Sequence, residues 1–119
     1  MHPELVPLQQ IEELDGLIQK AGGQPVVVFK HSYTCGVSAE ALDELVEHLS
    51  RKRPGVRYAI VTVQTHRALS NAVAQRFGIR HETPQVLLIR DGRVVWSATH
   101  FRVTAEAVDA ALSAESVVQ

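Results

Sequence analysis

The chain reads as an α/β protein: a three-layer α/β/α sandwich around four mixed strands. Three observations carry that reading. Two short β-branched runs, 25–31 and 57–63, are each followed by a stretch with helical apolar spacing. Two further runs flank Asp91-Gly92, a two-residue hairpin signal that makes the last pair antiparallel. The order helix, strand, helix, strand, helix, strand, strand, helix supplies a cover for both sheet faces once strand crossovers are right-handed.

Each element has its own signal. Leu8, Ile11, Leu14 and Ile18 recur at three- and four-residue spacing and predict a first helix stopped by Gly22-Gly23. The run 25–31 is apolar on both faces, as a central strand covered from both sides must be. Over 37–51, Ala41, Leu42, Leu45, Val46 and Leu49 share one face, Glu40, Asp43, Glu44 and Glu47 a solvated one, and Pro54-Gly55 ends the segment. After the strand 57–63, Thr65 is expected to cap a helix that buries Leu69, Ala72, Val73 and Phe77 and stops at Gly78. Strands follow over 85–90 and 93–99. Thr104 then caps a last helix through Val108, Ala111 and Leu112, with Trp96 packed against it and residues 113–119 fraying.

The 119 residues, 1–119, suit a single domain. With 45% hydrophobic and 21% charged residues the chain can bury a core. A net charge of -1 offers no field for nucleic acid or an anionic membrane surface, and no apolar run approaches the ~20 residues that span a bilayer. The start lacks the features of a signal peptide, so a cytoplasmic location and a monomeric state are the expectations.

Chemistry centres on the one cysteine. Tyr33-Thr34-Cys35-Gly36-Val37-Ser38 lies between the end of a strand and the first turn of a helix, where free backbone amides and the helix dipole favour thiolate over thiol. Gly36 leaves the sulfur open to a partner's backbone. A two-thiol exchange needs a second sulfur three positions on, and Ser38 stands there, so an external thiol must complete any cycle. The Ser38 hydroxyl could also donate to the thiolate.

These residues carry a resemblance. The segment from Phe77-Gly78 through Thr83-Pro84-Gln85 to Asp91-Gly92 looks like the one in which thioredoxins place a cis-proline opposite the active-site cysteine. Phe29-Lys-His-Ser-Tyr-Thr-Cys-Gly-Val-Ser-Ala39, together with Thr83-Pro84 and the hairpin, resembles the monothiol bacilliredoxin family, thioredoxin-fold proteins of the bacillithiol system. Gly36 stands where that family is expected to have Pro. The resemblance implies removal of bacillithiol from mixed disulfides on S-thiolated client proteins, with Cys35 as nucleophile, bacillithiol as thiol co-substrate and no tightly bound cofactor. It also implies that Thr83 and Pro84 align the substrate while Thr34, Gly36, Val37 and Ser38 surround the sulfur.

Two other readings compete. Cys35-Gly-Val-Ser38 resembles the Cys-Gly-Phe-Ser signature of monothiol glutaredoxins, which bridge a [2Fe-2S] cluster, although the Thr-Val-Pro and Gly-Gly features of that family are missing. The other is an inactive interaction module with an unreactive Cys35. His31, His66, His81 and His100 show no metal-ligand spacing, so no metal is expected. His31 and His81 could tune the thiolate, and the Lys30 head could meet an anionic thiol.

Overall fold

The computed structural model describes residues 2–51 and 53–117. Its elements are β1 (Leu5–Pro7), α1 (Ile11–Ala21), β2 (Val26–His31), α2 (Gly36–Leu49), β3 (Arg57–Thr62), α3 (Arg67–Phe77), β4 (Gln85–Arg90), β5 (Arg93–Thr99), a 3-10 turn (His100–Arg102) and α4 (Ala105–Val117). The sheet order is β1-β3-β2-β4-β5. β1, β3 and β2 run parallel, and β4 is antiparallel to both β2 and β5.

The three layers follow from alternation along β2, which is buried throughout. Val27 and Phe29 join Ala41, Leu45, Leu49, Val108 and Leu112 under α2 and α4. Val26 and Val28 join Leu14, Leu69 and Val73 under α1 and α3. Trp96 packs, partly buried, against the α2/α4 cluster.

Three expectations are corrected. The sheet has five strands, because Leu5–Pro7 pairs with β3; with only Leu5 of the three buried, the run is too short to show alternation. α1 begins at Ile11 rather than at Leu8, which is buried ahead of it, while the Glu13 carboxylate accepts from the Gln9 and Gln10 amides. The residue at the start of α3 is His66, and the Thr65 hydroxyl turns back to donate to the Thr62 carbonyl at 3.4 Å. α4 runs from Ala105 to Val117, over part of the segment expected to fray; residues 118–119 lie outside the described set. The hairpin matches expectation, with Asp91 at φ 53° and Gly92 at φ 76°, both positive as a type I′ turn requires. Thr104 caps α4, its Oγ1 accepting from the Ala107 amide at 3.1 Å.

Candidate functional site

Cys35 is the residue at which β2's outgoing loop becomes α2. It holds the N-cap position with extended backbone (φ -111°, ψ 123°) and is half-buried. The first bond of the helix runs from the Ala39 amide to the Cys35 carbonyl at 3.0 Å, so the amides of Gly36, Val37 and Ser38 have no intrahelical acceptor. Three unclaimed N–H groups and the positive end of a helix thus surround the cysteine. Open space surrounds Gly36, since a Cβ there would meet nothing within 4 Å.

The loop before the cysteine is pinned by a residue that sequence reasoning missed. Gln64, just past β3, donates to Ser32 Oγ at 2.5 Å and to Thr34 Oγ1 at 3.0 Å, and accepts from the Tyr33 amide at 3.3 Å. Nothing in the local pattern marks Gln64; the contact exists because parallel β2 and β3 end side by side. Tyr33 is left exposed.

Ser38 is fully buried, and its hydroxyl is engaged away from the sulfur. It accepts from the Ser32 amide at 2.9 Å and lies 2.8 Å from His31 Nδ1. Burial pushes the His31 pKa down, so the neutral imidazole is preferred. The buried pair engages the Ser38 hydroxyl and the His31 ring with each other. His31 also stacks on Phe29, ring centroids 5.6 Å apart.

Lys30 is the larger correction. Its position in β2 sends it to the α3 side, where it is fully buried, with Nζ donating to the Ser70 carbonyl at 3.0 Å and lying 3.3 Å from His81 Nδ1. It meets no solvent-borne anion. Desolvation lowers its pKa to about 8, and burial, reinforced by Lys30 and Arg67 against Glu82, lowers that of His81. His81 thus pairs with Lys30.

Thr83-Pro84 is cis. The β2–β4 register ends with Lys30 opposite Gln85, so Thr83 and Pro84 enter the sheet beside the end from which the loop to Cys35 leaves. Pro84 is buried, and its carbonyl accepts from the His100 amide at 3.0 Å, tying the 3-10 turn to the same end of the molecule. Cys35, Ser38, His31, Pro84 and His100 are thereby gathered at one end of the sheet, with Lys30 and His81 on the opposite face. Among the described residues no group of three or more His, Cys, Asp or Glu side chains is placed to hold a metal ion, and no helix is long and apolar enough to cross a membrane.

Comparison with known proteins places this geometry. Residues 6–108 match the family model described as monothiol bacilliredoxin BrxC. A structure described as a candidate oxidoreductase with a thioredoxin fold superposes with a TM-score of 0.81 at 28% identity, covering 90% of this chain and 92% of its own. Fasciola hepatica thioredoxin gives 0.74 at 20% identity over 93% and 99% of the two chains. The short form of spinach chloroplast thioredoxin f gives 0.71 at 19% over 98% and 99%; these last two attest the fold alone.

Proposed function

The chain belongs to the monothiol bacilliredoxin family and is a thiol-disulfide oxidoreductase, and from that premise we propose that it removes bacillithiol from mixed disulfides on client proteins, as a monomer in the cytoplasm. One observation carries the reading: the chain's one cysteine sits at the N-cap of α2, and a buried serine fills the position a second thiol would need.

The Cys35 thiolate attacks the bacillithiol sulfur of the client–S–S–bacillithiol bond. A new disulfide forms between Cys35 and bacillithiol, the old one breaks, and the client sulfur leaves as a thiolate that takes a proton from water. A second bacillithiol thiolate then attacks the adduct, releasing oxidised bacillithiol and regenerating the Cys35 thiolate. The first-turn amides of α2 stabilise charge on the Cys35 sulfur in both steps. Thr83 and Pro84 present backbone to the incoming client segment, and Thr34 and Gly36 flank the sulfur without blocking it.

Intact-mass spectrometry after mixing the protein with a bacillithiolated client tests this. The client should lose one bacillithiol and the enzyme should gain it on Cys35, while Cys35→Ser does neither. Transfer of the client protein itself to Cys35, with bacillithiol as leaving group, would overturn the assignment of the attacked sulfur. Uptake of neither would overturn the reaction.

A further inference from the structure

A groove that begins at Val37, two residues past Cys35, carries a statement about which clients are used, one that rests on the reaction just proposed. A cavity of about 310 Å³ lies between the first turns of α2 and the 3-10 turn. Its floor is apolar, formed by Val37, Ala41 and Val103. Glu40 and Asp43, exposed and without a bonded partner among the described residues, form the wall on α2. Opposite them stands Phe101, 72% exposed, on a turn that the His100 amide ties to the Pro84 carbonyl. A third carboxylate, Glu44, is engaged in accepting from the Ala105 amide at 2.8 Å. Among the described residues no lysine or arginine lines the groove. It therefore runs from the helical turn that follows the cysteine to the turn bound to the cis-proline, apolar below, negative on one side and aromatic on the other.

We propose that this groove docks client segments that carry lysine or arginine next to the thiolated cysteine. The two free carboxylates attract a cation and repel an acidic segment, in a partly enclosed site where the interaction is stronger than in open water. Phe101 offers a ring face to the same cation, and the apolar floor takes the aliphatic stem. The occupant's chemistry is also set by how such clients arise. Protein cysteines that undergo thiolation are those already present as thiolates, and a neighbouring lysine or arginine is a common cause of that state. The charge that makes a cysteine vulnerable is the one this groove is shaped to hold.

Two synthetic peptides test the inference, identical but for a bacillithiolated cysteine flanked by lysines in one and by glutamates in the other. The lysine peptide should be reduced with a kcat/KM about tenfold higher at low salt, and the ratio should fall to about twofold at 0.5 M salt as screening removes the attraction. Glu40→Gln with Asp43→Asn should collapse the ratio at low salt in the same way. A wild-type ratio within twofold at low salt overturns the inference while leaving the reaction intact. If neither peptide is reduced the reaction fails instead, and serine-for-cysteine versions of both peptides still decide the docking. Their binding is read from backbone amide resonances of Val37, Ala41 and Phe101. The lysine version should saturate at about tenfold lower concentration, and equal saturation overturns the proposal.

Discussion

The two ends of α2 are built on opposite principles. At its start, Cys35 caps the helix with no side-chain acceptor for the first-turn amides, and the buried ammonium of Lys30 lies across the sheet without a carboxylate partner among the described residues. At its finish, His48 is fully buried between Asp109 on α4 and the Tyr58 hydroxyl on β3, 2.7 Å from Nε2. Arg51 closes on the same Asp109 carboxylate, and Arg53 donates to the Asp109 carbonyl at 2.9 Å. One end leaves its first-turn amides without a helical acceptor; the other pairs both ring nitrogens of a buried histidine and welds α2 to two neighbouring elements. The difference teaches that donors can stay unpaired at the start of a helix whose other end is fixed to its neighbours.

The largest expected effect lies at the anchored end. Asp109→Ala strands the His48 ring nitrogen in the core and should cost about 2–3 kcal/mol in urea unfolding, with the alkylation rate of Cys35 changed less than about twofold. A large loss of Cys35 reactivity would break the separation between the two ends. The anchor also has a pH signature. Burial pulls the Asp109 carboxyl up, but hydrogen bonds from His48 and Arg51 outweigh it and hold the group below its ordinary 3.8. A lowered carboxyl contributes stability above its unfolded value, and that contribution is lost as pH falls through the lower folded value. The margin of wild type over Asp109→Asn should therefore narrow as the solution is acidified below pH 3.8.

A smaller effect, opposite in sign, is expected across the sheet from the cysteine. Lys30→Met replaces a desolvated ammonium with an apolar side chain of similar length and should raise stability at pH 7 by about 1–2 kcal/mol. Because burial lowers the Lys30 pKa to about 8 from 10.5, the unfolded chain keeps its proton between those values while the folded chain has released it. Wild-type stability should thus gain from this residue as pH rises from 8 to 10.5, and the gain should vanish in Lys30→Met. A Lys30→Met protein less stable than wild type at pH 7 would mean that the bonds to Ser70 and His81 outweigh desolvation, and the contrast of signs would be lost.

Gly36→Ala probes the smallest difference. The glycine has no positive φ and a Cβ would find open space, so alanine should add about 0.5 kcal/mol by restricting the unfolded chain. Alkylation of Cys35 should slow less than about twofold, and a tenfold loss would show that access to the sulfur, rather than charge around it, limits the reactive end.

What was legible in the sequence divides along the same lines. Locally encoded features were readable: Asp91-Gly92 dictates a turn with two positive φ values, and β4 and β5 begin and end where expected. The placement of Cys35 at a helix start was equally plain, because the β-branched run before it and the amphipathic stretch after it leave one junction. What escaped depends on register. Lys30 looked like a charge at a strand end, and only the alternation that puts Val26 and Val28 on the α3 side reveals where it goes. Gln64 serves the cysteine's loop because two parallel strands end together, and the His48 anchor joins residues far apart in the chain. Chain-distant polar pairings leave no periodic mark.

The open sheet must also avoid recruiting another chain through its two edges. β1 offers only three residues to a would-be neighbour, the last of them Pro7, which has no amide hydrogen to donate. β5 is longer, but its pairing with β4 shifts register between Leu88 and Ile89, and it opens with an exposed Arg93. A strand that bends and starts with a charge is a poor template for a flat intermolecular ladder. The short first strand and the irregular last one thus protect the protein from edge-to-edge aggregation.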